Sequence, residues 1–228
     1  VLIVFITVFL LGFLLIGCMD TPNTFSDVYL VELRFNESAP LDSNIERAHK
    51  TLNKTSDLSS LRISTSYLAM CVEIGGTTTC ASSFNTSSFA GVSVQNTKSE
   101  ANIDLLQVAR VFSSNCHPRL LLAVLGLTVI LFFVMIWAVV PFIPGKIWAK
   151  RISCGLLGLD TLLWGLGAML QHEAVTSAKK FITASSAYLI QIKLGTRAEA
   201  ISWTSFSFLL LTCIGTCALY ARDMLVAK

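Results

Sequence analysis

The sequence predicts a membrane α-helical bundle of four transmembrane helices that carries a small extracellular antiparallel β-sheet. Three observations predict this class: four long apolar segments, one extended polar stretch at 19–119, and a mean hydropathy of +0.68. Only 14% of the 228 residues are charged, whereas about a quarter are charged in a typical soluble domain. The net charge of +3 is too small to indicate a nucleic-acid-binding surface. We therefore expect the lipid bilayer as a partner, and no nucleic acid.

Each apolar segment has a length that suits a bilayer, since a helix needs roughly 20 apolar residues to cross the hydrocarbon core. Because the chain opens at Val1 rather than Met, we expect the first span to continue upstream. Residues 15–18 (LIGC) match a lipoprotein cleavage pattern, but three further spans favour a retained helix. The predicted segments are the first span 1–18, the outer loop 19–119, the second span 120–141, the short loop 142–151, the third span 152–171, the second outer loop 172–200, the fourth span 201–221 and the tail 222–228.

The distribution of Lys and Arg predicts the orientation, because basic residues collect on the cytoplasmic side. The short loop 142–151 holds three basic residues and no acid, whereas 19–119 holds 8 basic and 10 acidic residues. The four basic residues of 172–200 oppose this assignment. Four spans place both termini on one side, so we expect a multi-pass plasma-membrane protein with both termini in the cytoplasm.

Glycan acceptor triplets support the same orientation. The triplets that begin at Asn36, Asn53 and Asn85 match the N-glycosylation pattern, and all three lie in 19–119. This loop is therefore predicted to be extracellular.

Alternating polarity within 19–119 predicts β-strands. In residues 28–35, Tyr29, Val31, Leu33 and Phe35 share one face, and Glu32 and Arg34 the other. A second strand-rich run covers 61–74, and a third covers 77–83 after a Gly75-Gly76 turn.

Two further segments complete the predicted outer part. Residues 102–112 change to helical spacing, with Ile103, Leu106, Ala109 and Phe112 on one side. Residues 187–194 alternate again and could add an edge strand to the same sheet.

Four of the seven cysteines are candidates for disulfides, which an extracellular compartment permits. Cys71 and Cys80 lie on adjacent predicted strands around the glycine turn, where a hairpin bridge is geometrically easy. Cys18 follows the first span and Cys116 precedes the second, so a bridge between them would tie the two helices. Four cysteines allow three pairings, and the sequence does not choose among them.

The remaining cysteines lie in the predicted spans. Cys213 and Cys217 share a face of the fourth span, and we expect them to pack as small apolar residues rather than to bind a metal. Cys154, near the cytoplasmic face, is a candidate for acylation.

Asp160 lies in the middle of the third span, where a carboxylate costs at least about 2.5 kcal/mol on insertion scales. No Lys or Arg lies within any span to pair with it. Three interpretations remain open: an ion or proton contact, a docking point for a partner's membrane helix, or a structural carboxyl. The structural interpretation requires a hydroxyl partner, for which the candidates are Thr128, Thr204 and Thr212.

These features together resemble the claudin superfamily, and within it most closely the fungal calcium regulator and membrane-fusion tetraspans that act in mating. The likeness includes Gly17-Cys18 before residues 28–33, and Gly195 and Ser202-Trp203 before the fourth span. The family also has a glycine–hydrophobic–hydrophobic–glycine–any–cysteine motif followed by a second cysteine. The corresponding residues here are Ser66, Tyr67, Leu68, Ala69, Met70 and Cys71, followed by Cys80.

This chain departs from the family motif at two positions, because Ser66 and Ala69 replace the two glycines. Both replacements are small, so they keep a close approach possible but do not suit a positive φ. The claudin tryptophan is also absent from this stretch. The fungal cortical-patch and pH-sensing tetraspans share the architecture and are the nearest alternative.

The resemblance implies a claudin-like protein that regulates calcium influx and promotes membrane fusion during fungal mating. Alternatives are an auxiliary subunit of a calcium-channel complex, or a structural or adhesion tetraspan with no ion role. A homo-oligomer or a calcium-channel complex is the expected assembly. The three histidines occur in no HExxH motif, and no GxSxG or phosphate-binding glycine loop is present. We therefore expect no enzyme activity, no metal site and no cofactor.

Overall fold

A computed structural model of the chain describes residues 1–19, 28–35, 61–82, 108–112, 118–140, 145–186 and 190–226. The chain forms two compact units. The helical unit comprises 1–15, 118–170 and 200–228, and the sheet unit comprises 16–117 and 171–199.

Four helices dominate the described residues: α1 (Leu2–Ile16), α2 (Pro118–Val139), α3 (Lys146–Ser185) and α4 (Thr196–Val226). The last three are long and apolar enough to cross a membrane, whereas α1 is an apolar helix of 15 residues. Pro118 occupies the first position of α2, where its missing N–H has no intrahelical partner to lose. A helix of 22 residues such as α2 is about 33 Å long, which matches a hydrocarbon core.

The exposed surface of the helices is apolar, which is the reverse of a soluble protein. Phe133 on α2, Leu162 on α3 and Leu211 on α4 are 63%, 69% and 60% exposed. Extensive apolar exposure of this kind would favour aggregation in water, but it suits contact with lipid chains. The helical unit is therefore built for a membrane.

The interior of the helical unit joins residues from all four helices. Val4, Leu131 and Leu157 form a buried cluster against which Cys213 packs. Trp164 of α3 is buried, and its indole Nε1 donates a hydrogen bond to the Ser202 carbonyl of α4 at 3.2 Å. Small residues let the helices approach closely: a Cβ added at Gly165 would lie 2.8 Å from the Phe206 ring.

The sheet unit contains a five-stranded antiparallel sheet in the order β4-β3-β2-β1-β5. The strands are β1 (Val31–Phe35), β2 (Arg62–Thr65), β3 (Ala69–Ile74), β4 (Thr77–Ser82) and β5 (Ile190–Leu194). The predicted run 61–74 is therefore two strands, separated at 66–68. The expected turn at Gly75 and Gly76 joins β3 to β4, and both glycines have positive φ.

Three details differ from, or add to, the expectations for the outer segments. The third predicted span ends at 171, but α3 continues as a helix to Ser185. Of the predicted strand 187–194, residues 190–194 are described and form β5, which pairs with β1 at one edge of the described sheet. Of the predicted helix 102–112, residues 108–112 are described and are helical, with Ala109 and Phe112 buried.

Candidate functional site

The first candidate site is a cystine in the β-sheet. Cys71 of β3 and Cys80 of β4 are directly opposite in register, their Cα atoms are 4.0 Å apart, and their sulfur atoms are bonded. The bond crosses the hairpin around Gly75-Gly76. Cys71 belongs to a buried cluster with Cys18 and Ala69, against which Tyr29 packs.

Cys18 connects the end of α1 to this cystine. It is fully buried, and its φ of 62° is the only positive φ at a non-glycine residue in the described parts of the chain. This left-handed conformation reverses the chain after α1, as residues just past a helix end often do. Its carbonyl oxygen lies 3.2 Å from Cys71 Sγ, and its own Sγ lies 3.8 Å from the Val28 carbonyl oxygen. Cys116 lies outside the described residues, so the bridge from Cys18 to Cys116 stays a prediction.

The stretch 66–71, which corresponds to the family motif, begins at the turn between β2 and β3 and continues into β3. The Ser66 N–H donates to the Ala69 carbonyl at 2.9 Å, and both residues are almost fully buried. Neither has a positive φ, which explains why serine and alanine can stand at the glycine positions of the motif. Between them, the Tyr67 hydroxyl donates to Gln171 Oε1 on α3 at 3.0 Å.

Two glycines flank the chain where it enters β1. A Cβ added at Gly17 would lie 2.3 Å from the Val28 carbonyl oxygen, and one added at Gly195 would lie 1.6 Å from the Tyr29 carbonyl oxygen. The Gly195 N–H also donates to the Leu30 carbonyl at 3.0 Å. Gly17-Cys18, the start of β1 and Gly195 carried the family resemblance separately in the sequence, and the fold brings them together.

Polar pairs attach the edge strand β5 to β1. Glu32 and Lys193 are opposite in register, with 4.0 Å between Oε2 and Nζ, and the Glu32 side chain is nearly buried. Two register pairs further along β1, Arg34 Nε donates to Gln191 Oε1 at 2.9 Å. Opposite-charge and polar cross-strand pairs of this kind stabilise a sheet and fix its register.

The second candidate site is the carboxyl of Asp160, which has no solvent exposure and lies within the helical unit. Its Oδ2 lies 2.8 Å from Thr128 Oγ1, one of the three hydroxyls expected as partners. Thr128 Oγ1 also lies 2.8 Å from the Val124 carbonyl oxygen. Asp160 Oδ1 has no hydrogen-bond partner among the described residues.

The single hydroxyl proton of Thr128 limits which of these hydrogen bonds can form together. A hydroxyl has one proton, so Thr128 cannot donate to Asp160 and to the Val124 carbonyl at the same time. A neutral Asp160 removes the conflict, because its O–H donates to Thr128 Oγ1, which then donates to Val124. Charge burial in a bilayer is costly, which favours the same neutral form.

The arrangement around Asp160 offers few oxygen ligands for a cation. Within the part of the chain that the structure describes, no group of three His, Cys, Asp or Glu side chains could hold a metal ion. Calcium takes six to eight oxygen ligands, so a single carboxylate with one hydroxyl does not supply a calcium site.

The remaining predicted site residues divide into two groups. The acceptors Asn36, Asn53 and Asn85 lie outside the described residues, so glycosylation stays a prediction. Cys217, expected to pack as a small apolar residue, instead contacts Cys154 of α3 as a bonded pair. The one feature of the sequence that could have indicated this pair is that both cysteines lie in the halves of α3 and α4 that adjoin the basic loop and the tail.

The fold and these sites define a class: a membrane protein of apolar helices that carries a cystine-bonded antiparallel β-sheet. Residues 47–222 match the family described as "Ca2+ regulator and membrane fusion protein Fig1". The match covers most of the chain, which therefore belongs to the Fig1 family. The chain is also similar to the Factor-induced gene 1 protein of Saccharomyces cerevisiae, with 29% identity over 244 residues, 96% of this chain and 81% of the yeast protein.

Proposed function

We propose that the chain is a plasma-membrane, claudin-like protein with four spans, in which α1 is the first span. Every residue of α1 except Thr7 and Gly12 is apolar, and Thr7 donates its hydroxyl proton to the Ile3 carbonyl within the helix. A bilayer adapts to a short apolar helix by local thinning at a modest cost. The basic loop 142–151 and both termini lie in the cytoplasm, and the sheet unit lies outside.

The function that this arrangement supports best is the promotion of calcium influx and of membrane fusion during fungal mating. The observation that carries it is the Fig1 family match, which extends from the sheet unit through α4. The scarcity of oxygen ligands around Asp160 favours a regulator of calcium entry over a pore made from one copy of this chain. The outer sheet offers a surface for contacts with neighbouring proteins or with an opposing cell.

Calcium uptake and cell fusion in mating cells test this function. Cells that lack the chain are expected to take up less calcium after exposure to mating factor and to fuse less often, and reintroduction of the chain restores both. Unchanged calcium uptake together with impaired fusion contradicts the regulatory role and supports an adhesion tetraspan.

Purification of the full chain from the same cells distinguishes a self-assembling regulator from a channel subunit. We expect the chain to purify alone or with further copies of itself. A large channel polypeptide present in stoichiometric amount contradicts this expectation and identifies an auxiliary subunit.

A further inference from the structure

Two cysteines from different helices meet in the helical unit, apart from the cystine of the sheet. Cys154 of α3 and Cys217 of α4 are 63 residues apart in sequence, yet their Cα atoms are 5.8 Å apart. That separation is within the range most common for bonded cysteines, and the structure joins the two sulfur atoms. A covalent bond here would fasten α3 to α4.

A separate contact fixes the same two helices near this pair. Lys150, one turn before Cys154, forms an ion pair with Asp223, which follows Cys217 on α4. This ion pair links α3 to α4 close to the two cysteines, and it does not depend on a bond between their sulfur atoms.

We propose that Cys154 and Cys217 form a redox-sensitive thiol pair, which a hydroperoxide converts into a disulfide between α3 and α4. The pair lies near the ends of these helices that adjoin the basic loop and the tail. In the orientation proposed above, that end faces the cytoplasm, where glutathione and thioredoxin keep thiols reduced. The resting state is then the dithiol, in contrast to the permanent Cys71–Cys80 bond on the outside.

The chemistry balances in two steps with hydrogen peroxide as the oxidant. One thiol reacts with H₂O₂ to give a sulfenic acid and water, and the second thiol then displaces water to form the S–S bond. Two thiols and one peroxide thus give one disulfide and two waters. Exchange with two molecules of a cytosolic thiol such as glutathione restores the dithiol.

Cys213 provides a matched control, because it lies one turn before Cys217 on the same helix. Its sulfur is not bonded, and it packs against the cluster of Val4, Leu131 and Leu157. Replacement of Cys213 by serine removes a thiol from the same region of the membrane without removing either member of the pair.

Thiol trapping in intact cells tests the proposal. Cells expressing the full chain are treated with hydrogen peroxide or left untreated, free thiols are blocked with N-ethylmaleimide under denaturing conditions, and the peptides are analysed by mass spectrometry. We expect a Cys154–Cys217 cross-linked peptide after peroxide, in the original chain and in Cys213→Ser. In untreated cells both cysteines should carry maleimide. Chain purified in detergent from peroxide-treated cells should melt several degrees higher than chain from untreated cells, in both of which the Cys71–Cys80 bond is intact. Cys154→Ser should abolish this shift.

Two results would overturn the proposal. Maleimide on both Cys154 and Cys217 after peroxide shows that the pair does not bond. A cross-link already complete in untreated cells shows a permanent disulfide rather than a redox-sensitive pair. Antibody labelling of epitopes on the two sides of the membrane, which does not depend on these cysteines, then shows whether the proposed orientation has failed as well.

Discussion

At the scale of single residues, a substitution at Gly195 tests how closely the chain packs at the start of β1. A Cβ at this position would lie 1.6 Å from the Tyr29 carbonyl oxygen, which is backbone and cannot rotate away. Gly195→Ala must therefore displace β1 or β5, and overpacking of this kind costs about 1–3 kcal/mol or more. We expect a melting temperature several degrees lower for the full chain in detergent. Gly158→Ala is the matched control, since apart from the nearby backbone of its own helix nothing lies within 4 Å of its added Cβ. Equal melting of the two variants would contradict the close approach.

Substitutions of Asp160 test whether the helical unit needs a charge at this position or only a hydrogen-bond donor. Asp160 Oδ2 lies 2.8 Å from Thr128 Oγ1. In the neutral form the carboxyl O–H can donate across this distance, and the amide of Asn has a similar shape and can also donate. We therefore expect Asp160→Asn to keep the melting temperature and the calcium uptake of mating cells. Asp160→Ala, which loses the donor and leaves a cavity, should melt at a lower temperature. Loss of calcium uptake in the Asn variant, with melting unchanged, would falsify the structural interpretation and indicate an ion or partner contact.

At the scale of elements, the β3–β4 hairpin depends on its cystine. Replacement of both Cys71 and Cys80 by serine removes the bond without leaving an unpaired thiol, and closure of so short a loop contributes about 3 kcal/mol in the chain-entropy account. We expect lower surface expression and a lower melting temperature. Cys213→Ser is the control, because its thiol is unbonded in the structure. A double variant that behaves like the control would show that the bond does not stabilise the sheet.

The sequence predicted the elements whose signals are local. Gly75-Gly76 between two alternating runs identifies a hairpin, and the alternation at 187–194 identifies β5. The turn at 66–68 contains neither glycine nor proline, so the run 61–74 gave no sign that it contains two strands. The extent of α3 was missed because polarity marks the end of the apolar segment, whereas no glycine or proline between 169 and 185 ends the helix.

The sites were predictable to a similar degree. The Cys71–Cys80 pair follows from a hairpin and its register, and a hydroxyl partner for Asp160 follows from the cost of an unpaired carboxyl in lipid. Contacts between distant segments carry no such signal. The approach of Gly195 to Tyr29 and the meeting of Cys154 with Cys217 depend on how strands and helices pack, which periodicity does not specify.

At the scale of the whole molecule, the two units require different surroundings. The helical unit exposes apolar side chains. The sheet unit exposes polar ones: β4 is rich in threonine, and the part of α3 in this unit exposes Lys179 and Lys180. Lipid suits the first surface and water the second. A disulfide in the sheet and a predicted group of glycan acceptors both suit an extracellular compartment for that unit. These preferences are the physical basis for the proposed orientation.

The orientation itself can be tested with epitopes on the two sides of the membrane. An epitope inserted in 36–60 should bind antibody on intact cells whose walls have been removed, whereas one added after residue 228 should bind only after permeabilisation. Enzymatic deglycosylation should increase the gel mobility of the original chain, and replacement of Asn36, Asn53 and Asn85 by Gln should remove that increase. Reversed labelling of the two epitopes would place the sheet unit in the cytoplasm, where its cystine would be reduced, and would contradict the proposed topology.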